Sequence, residues 1–369
     1  MKSPKFLLSG GGTGGHIFPA IAIADELKRR LPNAEFLFVG AKDKMEMKKV
    51  PQAGYKIEGL WISGISRSSL LSNITFPFKI ISSLLKSRKL IKSFNPDAAI
   101  GTGGFASGPA LYAASRIGIP TFIQEQNSFP GITNKKLSQK TSEIYVAYEG
   151  MEKFFPKEKI HITGNPVRKS LFERTIPQEQ AKKELGLNPS QLVILSIGGS
   201  LGSRTINNFW KKNIKTIADS GIQVFWQTGN LDYQNILNEE NIKHPNVIIS
   251  EFIKDMGTAY AAADIIISRA GAIAISELCL AGKPVVLIPF PFAAEDHQTK
   301  NAQQLVNHQA AIMVKDSEVE DQLLPEIQKL IREDNTRQLL GSNILRLAKP
   351  NATEDIVSHI LKELKLEGY

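Results

Sequence analysis

Residues 7–30 read LLSGGGTGGHIFPAIAIADELKRR, and they decide the fold class. An apolar run meets five glycines between Gly10 and Gly15, then His16, then a charged amphipathic pattern beginning at Pro19. That is a strand, a glycine turn and a helix. Gly10, Gly12 and Gly15 satisfy G-x-G-x-x-G, so a dinucleotide fingerprint has to be weighed. The fingerprint also asks for an acid at the end of the next strand. Here that strand, EFLFVG, ends in Val39 and Gly40, with Asp43 only in the following turn. A nicotinamide site is thereby weakened, and a Walker loop fails because no Lys-Ser/Thr follows the glycines. What remains is general: amides at a helix N-terminus, with glycine allowing close approach, make an anion site. The structural alternative is a tight turn with no ligand.

The same unit recurs along the chain. Short apolar runs (FLLS, EFLFVG, DAAIGTG, PTFIQE, EIYVAY, then LVILSIGGS, QVFWQTG, NVIISEF, DIIISRAG, PVVLIPF) alternate with helical patterns. Continuous apolar strands separated by helices mean βαβ units and parallel sheets covered on both faces. Two series imply two doubly wound α/β domains, at 1–165 and 166–349, joined near HITGNPVRKSLFERTIPQEQ. A helix restarted after Pro350 (350–369) is expected to pack back on the first domain. Two further glycine loops, GTGGFASGPA from Gly101 and GGSLGS at Gly198 to Ser203, also follow strands. Facing domains with glycine loops at their strand ends describe a cleft for a phosphate-bearing donor.

The chain has 369 residues and is 42% hydrophobic, enough for two full cores. Its one cysteine, Cys279, precludes an internal disulfide and fits a reducing compartment. Neither a signal-like N-terminus nor an apolar span of about 18 residues is found, so neither export nor membrane spanning is expected. The formal charge of +9 favours anionic partners. Between Gly59 and Pro96 no acid occurs, while Arg67, Lys79, Lys86, Arg88, Lys89 and Lys92 interleave with Trp61, Leu70, Leu71, Phe78, Ile81, Leu84 and Leu85. Ile81, Leu84, Leu85 and Ile91 fall on one helical face, which reads either as an interfacial segment meeting an anionic membrane surface through residues 61–94 or as an ordinary core-facing helix. The cations cluster with aliphatic residues rather than stacking aromatics, which disfavours nucleic acid as a partner.

Seven motifs, GGTGGHIFPA, GTGGFASGP, QEQNSFPGITNK, GNPVR, GGSLGSRTIN, RAGAIAISEL and AEDHQTKNA, spread from residue 10 to residue 302. In kind and order they resemble the MurG family of glycosyltransferases. The resemblance implies a two-domain GT-B fold. It also implies inverting transfer of N-acetylglucosamine from UDP-N-acetylglucosamine to a polyprenyl-diphosphate-linked muramoyl peptide, at the cytoplasmic face of the bacterial inner membrane. No Asp-x-Asp is present, so no metal and no cofactor is expected, and helix N-termini with a cation are left to stabilise the leaving diphosphate.

By the same resemblance, the donor is held by Thr13, Gly14, Gly15, Asn127, Arg168, Ser200, the backbone of Ile253, the RAGAIAISE segment (Ala272, Ile273, Ala274, Ile275, Ser276, Glu277) and Gln298. Glu277 is the ribose acceptor; its structural alternative is a first-turn acid favoured by the helix dipole. Gly103, Gly104 and Phe105 form the acceptor diphosphate loop. Two departures stand out: Ala274 where the family commonly has Thr, and Gln124 where a His is common. Gln124 cannot accept a proton at neutral pH, so a base from that motif is Glu125.

His16 is the other catalytic candidate. A histidine titrates near neutrality, so it can take the acceptor hydroxyl proton or, charged, bind diphosphate. Helix capping is its plain alternative. The competing functions are a UDP-N-acetylglucosamine 2-epimerase of the same fold, a nicotinamide oxidoreductase, and a non-catalytic nucleotide-sensing or nucleic-acid-binding protein.

Overall fold

The computed structural model describes residues 3–64, 74–167, 171, 176–199 and 201–366. The chain divides into two compact units. The first is Met1–Arg168 with Lys349–Tyr369, and the second is Lys169–Ala348.

The first unit carries a seven-stranded parallel sheet: β1 (Lys5–Gly10), β2 (Glu35–Ala41), β3 (Lys56–Leu60), β4 (Ala98–Gly103), β5 (Thr121–Glu125), β6 (Glu143–Val146) and β7 (Ile160–Ile162). Their order is β3-β2-β1-β4-β5-β6-β7. β1 is apolar at successive positions because both its faces are covered. Phe6 and Leu8 enter one core with Ile17, Ile23 and Leu27 of the helix Gly14–Arg30, while Leu7 enters the opposite core with Leu111 and Ala114.

The second unit repeats the plan with six parallel strands: β8 (Val193–Ile197), β9 (Gln223–Gln227), β10 (Val247–Ser250), β11 (Ile265–Ser268), β12 (Val285–Leu287) and β13 (Ile312–Met313), in the order β10-β9-β8-β11-β12-β13. Both sheets are doubly wound, as the alternation of apolar runs implies. β3, β7 and β13, which the apolar pattern did not mark, are edge strands. Their sequences, KIEGL, IHI and IM, are too short or too polar to stand out.

In each sheet the strand order reverses beside the first strand, between β1 and β4 and between β8 and β11. There the loops following adjacent strands diverge to opposite faces and leave room for a ligand at the carboxyl ends. All the glycine loops, and RAGAIAISE, follow one of these four strands. Cys279 is buried in the second unit and its thiol is pushed up to about 12 by burial, so it is unreactive.

The C-terminal helix Ala352–Glu363 returns to the first unit. Ile356, Val357, Ile360 and Leu361 share a core with Ile23 and Leu27. A polar clamp reinforces this. Buried Glu26 accepts from Arg29 and Arg30, and Arg30 donates onward to Ser358 Oγ (2.8 Å) and the Glu354 carbonyl (3.0 Å). The Arg29 hydrogen bond, with Arg30 behind it, holds the Glu26 carboxyl down to about 2 against the work of burying it. A depressed folded-state value gives stability that is complete above the ordinary carboxylate value and lost as pH falls from about 4.5 toward about 2. Arg29 is largely exposed, so solvent screening reduces the contribution to about 1–2 kcal/mol. Urea unfolding should show Glu26→Gln less stable by that amount at neutral pH, with the difference shrinking across this acid window. A difference that does not change with pH would contradict the assignment.

Candidate active site and its relatives

In the first unit the candidate residues gather at the ends of β1, β4 and β5. His16 is the third residue of the helix Gly14–Arg30, whose N-cap Thr13 makes no side-chain cap. Its half-buried ring is turned toward β5, and Nδ1 lies 2.8 Å from Oε1 of Gln126. The orientation of Gln126 is fixed by its other end, where Nε2 donates to the carbonyls of Thr102 (2.8 Å) and Gln124 (3.1 Å) and also approaches Gln124 Oε1. Oε1 can only accept. Neutral His16 therefore carries its proton on Nδ1 and presents a lone pair at Nε2, the arrangement of a base. The helix-capping reading of His16 is not what the ring does.

Gln126 escaped the sequence reading although it stands inside QEQN. Gln124 completes the network by donating to Asn165 Oδ1 of GNPVR (2.9 Å), while Asn165 donates to the Gln126 carbonyl (3.2 Å). Gln124 thus bridges two motifs through its amide.

Glu125 is almost wholly buried. Its oxygens accept from the Asn127 amide (3.0 Å), Asn127 Nδ2 (3.2 Å), the Gly131 amide (3.2 Å) and Asn134 Nδ2 (2.8 Å). Asn127, expected at the donor, is thereby tied into the same loop. A second internal acid occupies the first glycine loop: fully buried Glu46 accepts from the amides of Gly12 and Ala41, both at 3.0 Å. The Gly11 amide donates to the Gly103 carbonyl (3.3 Å). Two loop amides expected at an anion are therefore engaged by the chain itself. Thr13, Gly14 and Gly15 stand at the open end of the helix.

The loop after β4 is pressed against this one. Gly103 (φ +100) and Gly104 (φ +87) are left-handed. A Cβ on Gly103 would stand 2.8 Å from His16 Nδ1, and one on Gly104 would overlap the Gly11 carbonyl. Phe105 is 46% exposed beside them.

The second unit has its own organising side chains. Arg269 of RAGAIAISE donates to Ser203 Oγ (2.6 Å), to the carbonyls of Ile288 (3.1 Å) and Pro289 (3.2 Å), and to Asp316 (2.5 Å). One guanidinium thus fixes the loops that follow β8, β11, β12 and β13. Gln227 does similar work, donating to the Gly199 carbonyl (3.0 Å) and accepting from the Ile253 amide (2.8 Å). The Ile253 N–H is therefore already engaged.

The helix Ala272–Ala281 begins at Gly271, without a side-chain cap. Ala272 and Ile275 are buried, while Ile273, Ala274, Ser276 and Glu277 are half-buried. Ser276 Oγ donates back to the Ala272 carbonyl (3.1 Å). Glu277 is the sixth helical residue and no acid lies in the first turn, which corrects the helix-dipole reading. Its Oε2 accepts from Tyr260 OH (3.1 Å). Gln298 accepts from the Phe290 amide (2.9 Å), and the turn before it holds Glu295 (φ 55) and Asp296 (φ 52) in left-handed conformations. Neighbouring left-handed non-glycine residues are characteristic of functional loops. Arg168 and Ser200 lie outside the described residues, as do Arg67, Leu70 and Leu71.

The helix Phe76–Phe94 divides the expected apolar face. Ser83, Ser87 and Ile91 are buried, whereas Ile81 and Leu85, expected beside Ile91, point outward with Ile74 and Phe78. Positions 74, 78, 81 and 85 form one stripe at helical spacing, each more than half exposed, running on toward exposed Arg88, Lys89 and Lys92. Lys86 is partly neutralised by Glu58 of β3 (2.8 Å). No helix among the described residues is long and apolar enough to cross a membrane.

Two doubly wound units with glycine turns at their switch points define the GT-B architecture. Residues 6–146 match the glycosyltransferase family 28 N-terminal domain and residues 193–356 match its C-terminal domain. The chain belongs to this family, and within it to the MurG glycosyltransferases. A Flavobacterium psychrophilum protein named UDP-N-acetylglucosamine–N-acetylmuramyl-(pentapeptide) pyrophosphoryl-undecaprenol N-acetylglucosamine transferase is 52% identical over 365 residues, 98% of each chain. Its namesake from Christiangramia forsetii is 52% identical over 358 residues, 97% of each. The crystal structure of Acinetobacter baumannii MurG superposes with a TM-score of 0.79 at 27% identity, covering 98% of this chain and 100% of that one. A putative UDP-N-acetylglucosamine 2-epimerase from Listeria monocytogenes, at 12% identity and a TM-score of 0.69 over 99% of this chain and 97% of its own, shares the fold alone.

Proposed function

We propose that this protein transfers N-acetylglucosamine from UDP-N-acetylglucosamine, with inversion, to a hydroxyl of undecaprenyl-diphospho-muramoyl pentapeptide. The observation that carries this reading is the 52% identity sustained over 98% of both chains with transferases of that name. An epimerase shares only the fold, and the family match disfavours a nicotinamide enzyme.

His16 Nε2 takes the acceptor's hydroxyl proton as the oxygen attacks the anomeric carbon. The bond from that carbon to the diphosphate oxygen breaks, and UDP leaves with the electron pair. Gln126 Oε1 holds the Nδ1 proton and stabilises the imidazolium that forms. Glu125, already accepting from four donors, is better suited to shaping its loop than to taking a proton. The amides opening the helix Ala272–Ala281 face the leaving diphosphate with the positive end of the helix dipole, and Glu277 accepts from the ribose. Labelled UDP-N-acetylglucosamine incubated with a short-chain lipid acceptor should give a labelled lipid and UDP. Epimerised sugar nucleotide with no labelled lipid would reject this function.

Glu277→Ala should weaken UDP binding by about 1.5–3 kcal/mol, the worth of hydrogen bonds to a charged group, whereas Tyr260→Phe should change it little. Calorimetry reads both. Unaltered affinity in Glu277→Ala would remove the carboxylate from the ribose.

The acceptor's lipid tail requires the enzyme to visit a membrane, at its cytoplasmic face. The outward stripe of Ile74, Phe78, Ile81 and Leu85 supports docking through this helix, because an apolar row facing away from the core has no use in the fold itself. Arg88, Lys89 and Lys92 each add about 1 kcal/mol at most near anionic headgroups. Phe78→Ser combined with Leu85→Ser should weaken binding to anionic vesicles about tenfold or more. Changing the three cations to glutamine should abolish the dependence on anionic lipid. Wild-type binding by both variants would place docking elsewhere.

A further inference from the structure

Glu143, His161 and His359 meet far from the glycine loops. Glu143 is the first residue of β6, at the end of the sheet opposite the one where the loop of Glu125 and Gln126 departs from β5. His161 is the central residue of β7, and His359 comes from the C-terminal helix. The two imidazoles face each other with ring centroids 4.2 Å apart, and His161 Nε2 lies 3.4 Å from Glu143 Oε1. One ligand atom from each of the three residues lies within 4.8 Å of the others. Among the described residues no other His, Cys, Asp or Glu side chains gather in this way.

We propose that these residues form a site for a borderline divalent transition ion, Zn²⁺ or a congener, that clasps the C-terminal helix to the edge of the first sheet. Two neutral imidazole nitrogens and one carboxylate oxygen are a donor set that suits zinc, copper or nickel and disfavours magnesium and calcium. The second Glu143 oxygen accepts from Tyr145 OH (2.6 Å), which orients the carboxylate as outer-shell partners of metal ligands do. The position, remote from the loops of His16, makes the ion a fastener of the chain terminus and not part of the transfer chemistry.

The test uses the full-length protein freed of metal with a chelator. Zinc chloride titrated by calorimetry should show one equivalent bound and a rise in unfolding temperature that EDTA reverses. Cobalt(II) should give the visible absorption of a low-coordinate site. His359→Ala and Glu143→Gln should each raise the dissociation constant about tenfold or more, while a control His308→Ala, exposed on the second unit, should not. Glu143→Gln keeps the shape of the side chain, so lost binding there is not lost folding, and circular dichroism checks each variant. Absence of zinc binding by the wild type, or wild-type affinity in both ligand variants, overturns the site.

Discussion

His16→Ala should lower turnover by about 100-fold or more while leaving UDP-N-acetylglucosamine affinity within about twofold, because a base acts in the transition state and not on the bound donor. Single-turnover kinetics with calorimetry of donor binding separates the two. A collapse of donor affinity with unchanged turnover at saturation would instead make His16 a diphosphate ligand. Gln126 offers a second check, since it touches only the far side of the ring. Gln126→Leu should lose the tautomer lock and move the pH–rate profile, with a fall of about tenfold, smaller than that of His16→Ala. A mere packing role for Gln126 would leave the profile where it was.

Gly104→Ala should be a strongly damaging small substitution. Gly104 is left-handed (φ +87) and the new Cβ would overlap the Gly11 carbonyl. The left-handed conformation costs about 1–2 kcal/mol for alanine wherever it occurs. Gly118 (φ +88) supplies the comparison, because no atom lies within 4 Å of a Cβ there. Gly118→Ala should therefore lose only that conformational term and keep its activity. Gly104→Ala should lose about 2–4 kcal/mol, and turnover should fall about 100-fold as the β4 loop is levered away from the loop bearing His16. Equal unfolding temperatures for the two variants, with activity retained in both, would show that the loops separate without cost.

Much of the candidate site was legible because it lies in short contiguous motifs. The glycine turn before His16 follows a strand and opens a helix, and local spacing alone reveals both. RAGAIAISE was legible for the same reason. The side chains that fix these motifs were not. His16 and Gln126 are separated by 110 residues, and Arg269 reaches Asp316 across 47. Hydrogen bonds of that kind leave no periodic trace, and Gln126, Gln227 and Arg269 look like ordinary polar residues until the strands bring them together. The buried role of Glu46 was equally hidden, since an acid in AKDKMEMKK reads as one more surface charge.

The sequence by itself determined the two doubly wound sheets, because a strand covered on both faces must be apolar at consecutive positions and a helix beside it must repeat near every fourth residue. It also marked the glycine turns that follow the strands at the switch points, since left-handed and closely packed loop positions need glycine there. Only the tertiary structure decided which nitrogen of His16 holds its proton, because that depends on a distant amide whose other end is already committed. It also decided that Ile81 and Leu85 point away from the protein. An amphipathic pattern fixes the faces of a helix, but which face meets the core depends on the partner that packs against it.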